Sequence, residues 1–155
     1  MSETKNKYDF VISGAGLVGC LSAILLSRMG YSCCVIEKNI IATEKETNTY
    51  SPLSLNYRSI LILKKFKIWD DLKKISYPIK SLTLKSFNSF SRLSLTANDL
   101  NLDSLGYVFD RHKLLKIFRN ILAQEDKISV FDSSEVKIIN YNKSSNDLNL
   151  IISNK

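Results

Sequence analysis

Three glycines and one downstream acid carry the chemistry that can be read first. Residues 14–19 run Gly14-Ala15-Gly16-Leu17-Val18-Gly19, and Glu37-Lys38 closes the next apolar run. Glycines at this spacing bind phosphate rather than transform it. Gly14 permits a tight turn, and Gly16 lets the backbone approach a pyrophosphate with no side chain in between. Gly19 lets a helix pack closely on a strand. The N-terminus of that helix offers unpaired N–H groups and partial positive charge to an anion, and Ala15, Leu17 and Val18 belong to the same candidate set. Glu37 can accept a hydrogen bond from a ribose 2′-hydroxyl and would repel a 2′-phosphate. Lys38, beside it, belongs to the same candidate set. The chemistry is recognition of an adenine dinucleotide, and the fingerprint by itself leaves NAD and FAD both open.

These residues need elements to hold them. An apolar strand at 8–13 leads into the turn, an amphipathic helix runs to Met29, and a second strand at 31–36 ends on Glu37. Ala23 supplies another small residue on the helix face that meets the sheet. A polar connection, 38–48, follows. The spacing of Ile60, Leu61, Leu63, Phe66, Ile68, Trp69 and Leu72 predicts one helix over 57–75, stopped by Pro78. Alternation predicts a strand at 79–87, pairing as a hairpin with 90–95, and a loop at 98–104. A short strand at 105–109 leads to Asp110 as helix N-cap, with Leu114, Leu115, Ile117, Phe118, Ile121 and Leu122 at helical intervals. A buried strand at 128–131 and a β-hairpin of 135–141 with 147–152 complete the chain. The fold class expected is α/β, a Rossmann-like domain over 1–155. A doubly wound parallel central sheet includes the 105–109 and 128–131 strands, and 78–104 forms an antiparallel excursion.

Composition narrows the partners. The chain has 155 residues, 45% hydrophobic and 24% charged, enough for one core. Its net charge of +7 would suit nucleic acid, but the lysines are scattered, with the pairs Lys64-Lys65 and Lys73-Lys74 on a solvated helix face. Nucleic acid is not expected as a partner. The basic surface leaves open a peripheral contact with an anionic membrane face. No apolar stretch approaches the roughly 18 residues of a membrane-spanning helix, and the polar start carries no secretory pattern. Cys20, Cys33 and Cys34 read as small core residues of a reducing cytoplasm. Cys33 and Cys34 point to opposite strand faces and make poor joint metal ligands, so no metal is expected. His112 reads as a surface residue at a helix start. Trp69, Tyr57 and Tyr107 read as packing residues.

Two segments beyond the fingerprint carry a resemblance. One is Ser54-Leu55-Asn56-Tyr57-Arg58-Ser59 with Ile62-Leu63 and Ile68-Trp69-Asp70-Asp71-Leu72. The other is Leu105-Gly106-Tyr107-Val108-Phe109-Asp110 with Leu114. Together with residues 8–37 they resemble, in order and spacing, the N-terminal part of the FAD-dependent aromatic hydroxylases, specifically the ubiquinone-biosynthesis branch. The resemblance implies FAD as cofactor, NAD(P)H as electron donor and hydroxylation of an aromatic ring, here a polyprenylated phenol. It implies a flavin contact for Arg111, which follows Asp110 at the helix start. It places Ser51 where the family usually has a cofactor-facing arginine, with Arg58 the nearest arginine downstream. Family members continue into a second flavin motif and a substrate sheet, so the chain reads as an incomplete hydroxylase. A C-terminal half or sister hydroxylase subunits are then expected partners, and the cytoplasm or the periphery of the inner membrane the location. The alternatives are a non-catalytic nucleotide-binding module and an NAD-binding dehydrogenase fragment. No catalytic residue is assigned.

Overall fold

The computed structural model describes residues 6–39, 50–85 and 92–154. The chain divides into two compact units, residues 1–46 with 118–155 and residues 47–117.

The first unit is built on β1 (Phe10–Ser13), α1 (Leu17–Arg28) and β2 (Cys33–Ile36). β2 is the middle strand of a three-stranded sheet, parallel to β1 on one side and to β8 (Ile128–Phe131) on the other. All four of its residues, Cys-Cys-Val-Ile, are buried. An uninterrupted apolar strand is what a parallel strand covered on both faces requires. Helix α1 packs on this sheet through Cys20, Ala23 and Ile24, each fully buried. Its last turn is tied to residue 125: Arg28 Nε meets Glu125 Oε1 at 2.7 Å, and Ser27 Oγ donates to Glu125 Oε2. The antiparallel hairpin of β9 (Ser134–Asn142) and β10 (Asp147–Asn154) follows β8.

The second unit holds β3 (Pro52–Asn56), α2 (Tyr57–Lys65), α3 (Trp69–Lys73), β4 (Ser76–Ile79), β5 (Ser81–Lys85), β6 (Arg92–Thr96), a 3-10 turn at Asn98–Leu100 and β7 (Gly106–Asp110). Its three-stranded sheet is antiparallel, in the order β3-β7-β4, and β5 and β6 pair as a separate ribbon. The register of that ribbon sets Leu82 opposite Leu95 and Leu84 opposite Leu93, so all four leucines share one face. Leu82, Leu84 and Leu93 are 48%, 55% and 65% exposed. Helix α4 (Arg111–Gln124) belongs to the second unit through Ile117 and to the first from Phe118.

The α/β class, the parallel sheet and the antiparallel additions match the sequence-based expectation. Three details differ. The strand ending at Phe109 belongs to the antiparallel sheet, because β3 and β4 occupy both of its hydrogen-bonding edges. The expected helix over 57–75 is two helices. In one helix of about 3.6 residues per turn, Ile60 and Leu63 would face away from Trp69 and Leu72, yet all four are buried. The chain breaks at Lys67, whose φ is 56°, with Lys67 N–H donating to Lys64 O and Ile68 N–H to Leu63 O. Pro78 therefore lies within the edge strand β4, where its missing N–H costs no ladder bond to a second neighbour. From residue 40 the polar connection lies outside the described residues, as do the expected strand ends at Phe87 and Phe90.

Candidate functional site: a glycine loop at the strand ends

The parallel strands β1, β2 and β8 end on the same edge of their sheet, where ligands of open α/β sheets bind. Gly14 leaves β1 with φ +102°, a conformation that L side chains rarely adopt, while its N–H donates to Ile36 O at 2.7 Å. The loop is thereby stitched to the end of β2. A Cβ on Gly19 would overlap the Gly14 carbonyl oxygen and lie 3.4 Å from Ile12 Cγ2. Only glycine lets α1 approach this closely. Gly16 is the opposite case. It caps α1 in an extended conformation, φ −77° and ψ −176°, and a Cβ there meets nothing within 4 Å. The space beside it is open for a ligand.

The start of α1 suits an anion. Its first turn carries no acidic residue, so the partial positive charge of the helix terminus is not neutralised locally. Leu17 is half-buried and Val18 is 80% exposed.

Glu37 is fixed at the end of β2 by its own backbone, which donates to Phe131 O and accepts from Ser134 N–H. Its carboxylate reaches back to the loop: Oε2 accepts from Ala15 N–H at 2.7 Å and Oε1 from Asn39 N–H at 2.9 Å. Each oxygen retains a further lone pair, so Glu37 can still accept from a ribose hydroxyl. Ala15 is fully buried, and its carbonyl accepts from Cys20 Sγ at 3.2 Å and from Arg119 Nε at 3.1 Å. Burial pushes the Cys20 thiol above its ordinary pKa, with Arg119 acting in the other direction. Cys33 and Cys34 are likewise raised by burial, Cys34 to about 11. All three cysteines are free and buried.

The first unit thus brings together Gly14, Ala15, Gly16, Leu17, Val18, Gly19 and Glu37. Lys38 is exposed, with Nζ 3.4 Å from Glu135 Oε1. Arg111 belongs to the second unit. It is exposed, and its N–H donates to Ser51 O at 2.8 Å. Asp110 caps α4 as expected, its carboxylate accepting from the N–H groups of His112 and Lys113. Those hydrogen bonds, Lys113's foremost, hold its pKa below the ordinary carboxylate value. Trp69 is a packing residue, edge-on to Tyr107 at 4.7 Å. Arg58 is exposed on α2. Sequence reasoning passed over Arg119. Its signal was a charged residue three positions before Leu122 and four after Leu115, along the apolar stripe of α4. Among the described residues no cluster of His, Cys, Asp and Glu could hold a metal, and no helix is long and apolar enough to cross a membrane.

A glycine turn open at Gly16, an unneutralised helix start and an acid at the next strand end define a dinucleotide-binding α/β domain. The model of the FAD binding domain family matches residues 7–148, and the chain belongs to that family. Family membership resolves the choice between NAD and FAD in favour of FAD. The chain is 27% identical over 145 residues to the mitochondrial ubiquinone biosynthesis monooxygenase COQ6 of Homo sapiens, covering 86% of this chain and 30% of that protein. It is 32% identical over 90 residues to the kynurenine 3-monooxygenase of Dictyostelium discoideum, covering 58% of this chain and 20% of the relative. Among solved structures, p-nitrophenol 4-monooxygenase PnpA from Pseudomonas putida superposes with a TM-score of 0.71 at 15% identity, over 94% of this chain and 36% of that one. Aklavinone-11 hydroxylase in complex with FAD and aklavinone gives 0.69 at 14%, over 97% and 30%. The fold is that of FAD-dependent monooxygenases. The chain spans about a third or less of the length of these relatives.

Proposed function

We propose that this chain is the FAD-binding portion of a flavin-dependent monooxygenase that hydroxylates an aromatic ring, with a polyprenylated phenol of ubiquinone biosynthesis as substrate and NAD(P)H as electron donor. The observation that carries the reading is the open face at Gly16, set between the start of α1 and the Glu37 carboxylate. Gly14 turns the chain, and Gly16 and the amides of Leu17 and Val18 cradle the pyrophosphate. Ala15, whose own N–H is taken by Glu37, holds the loop in place, Gly19 allows α1 to approach, and Glu37 takes the adenosine ribose. Lys38 belongs to the same cofactor set, and the family resemblance assigns Arg111 a flavin contact. The substrate assignment draws on the ubiquinone biosynthesis relative, and the aromatic class is common to the kynurenine and p-nitrophenol enzymes.

Bound FAD supplies the oxygen chemistry. The residues of this chain bind and orient it. Excluding water from a reacting flavin needs walls on both faces of its ring, and the glycine loop and Glu37 address the nucleotide end. In this reading residues 78–104 reach toward a substrate domain, which would cover the leucine face of the β5–β6 ribbon. The 155 residues alone then bind FAD without supporting hydroxylation, which is the work of an architecture of the relatives' length. Absorbance of the purified chain after addition of FAD and gel filtration tests the cofactor assignment, with retained flavin bands expected. A protein that stays colourless with FAD yet binds NADH refutes it. Hydroxylation of a prenylated phenol by the 155-residue chain alone would refute the division of labour.

A further inference from the structure

Within the glycine loop, the peptide groups of Ala15 are held on both sides by side chains from elsewhere. Glu37, at the end of β2, takes its N–H at 2.7 Å, and Arg119, on α4, donates to its carbonyl at 3.1 Å. Cys20 adds a weak thiol donor to the same oxygen. The Ala15–Gly16 peptide is trans, as are all peptide bonds among the described residues. In a planar trans peptide the C=O and the following N–H point in opposite directions. Drawing the Ala15 oxygen toward Arg119 therefore directs the Gly16 N–H the other way. Glycine on one side of this peptide makes a flip inexpensive unless something holds it.

We infer that Arg119 is a positioning residue for the dinucleotide site, locking the Ala15–Gly16 peptide so that the Gly16 N–H is presented to the pyrophosphate before the cofactor arrives. It acts through the loop backbone. Preorganising a donor reduces the ordering cost at binding, so the lock appears in FAD affinity. Glu37 fixes the amide before Ala15, and Arg119 fixes the one after it. The two side chains hold successive peptide planes. The inference rests on the FAD-binding reading of the loop.

The test uses the full chain carrying Arg119→Met, which keeps the aliphatic bulk and removes the donors, and Arg119→Gln, which keeps an N–H donor without the charge. FAD affinity is read by flavin fluorescence quenching. Backbone 15N relaxation dispersion at Gly16 is read on the cofactor-free protein, where peptide flipping would appear as microsecond-to-millisecond exchange. Arg119→Met should weaken FAD binding about tenfold and introduce exchange at Gly16, while Arg119→Gln stays within a few-fold of the parent in both measurements. FAD affinity within twofold of the parent for Arg119→Met, with Gly16 still quiet, overturns the inference. Equal loss in both variants with no exchange at Gly16 also overturns it, because charge rather than positioning would then be at work. Should Arg119→Met fail to fold, Arg119→Ala takes its place: exchange at Gly16 with loss of FAD affinity supports the lock, and a quiet Gly16 overturns it. A parent that binds no FAD refutes the cofactor reading alone, since exchange at Gly16 reports the lock without cofactor.

Discussion

Gly16→Val separates the fold from the function of the glycine loop. Gly16 has φ −77° and ψ −176°, a region open to any L residue, and an added Cβ meets nothing within 4 Å. No backbone strain is introduced, and the Cβ itself overpacks nothing. The cost to folding is the poorer N-cap, about 1 kcal/mol or less. The cost to FAD is much larger, because the branched side chain fills the space that the pyrophosphate must enter. Excluding a ligand at van der Waals contact is comparable to severe overpacking, about 3 kcal/mol, or roughly a hundredfold or more in affinity. Gly19→Ala is the counterpart. Its Cβ would overlap the Gly14 carbonyl oxygen, so the helix must back away from β1. The gain in helix propensity, about 1 kcal/mol, is outweighed by overpacking of about 1–3 kcal/mol or more. The assay is a thermal melt of each cofactor-free variant beside an FAD titration by fluorescence quenching. Gly16→Val should melt near the parent and bind FAD very weakly, and Gly19→Ala should melt clearly lower. Parent-like FAD affinity in Gly16→Val would place the phosphate site elsewhere, and an unchanged melt in Gly19→Ala would refute the close packing of α1 on the loop.

Glu37→Ala should weaken FAD binding by about 1–3 kcal/mol, the scale of losing a hydrogen bond to a charged group, and titration calorimetry showing unchanged affinity would remove Glu37 from the ribose site. Asp110, with its pKa held down by the N–H groups of Lys113 and His112, contributes stability that is present above the ordinary carboxylate pKa, about 3.8. That stability is lost as the pH falls from there through the lower folded value. Asp110→Asn keeps an acceptor without the titration, so melts followed from pH 5 down to pH 2 should fall less steeply than the parent's, and identical slopes would exclude this cap. With Cys34 raised to about 11 and Cys20 and Cys33 also raised by burial, the native thiols should resist iodoacetamide at pH 8 and react on unfolding. Mass spectrometry showing rapid native labelling would refute their burial.

Residues 10–37 were legible in the sequence because every device there is local. The turn at Gly14, the start of α1 and the acid at the end of β2 fall within one β-α-β unit, and such units take one handed arrangement. The Asp110 cap and the closing hairpin were legible for the same reason: Asp110 binds amides two and three residues away, and β9 returns directly as β10. What only the tertiary structure decided depends on partners distant in the chain. The strand character of 52–56 and the antiparallel placement of β7 exist because β7 is hydrogen-bonded on both edges, by β3 and β4. Periodicity records that a residue is buried without recording against what, so β7 looked like another parallel strand. The break at Lys67 follows from burying Trp69 and Leu72 as well as Ile60 and Leu63, two pairs whose spacing suits a helix within each segment but sets them on opposite faces of a single one. Arg119 shows the same limit within the site. It meets Ala15 from 104 positions away, and no local rule relates a charge on the last long helix to a carbonyl in the first turn.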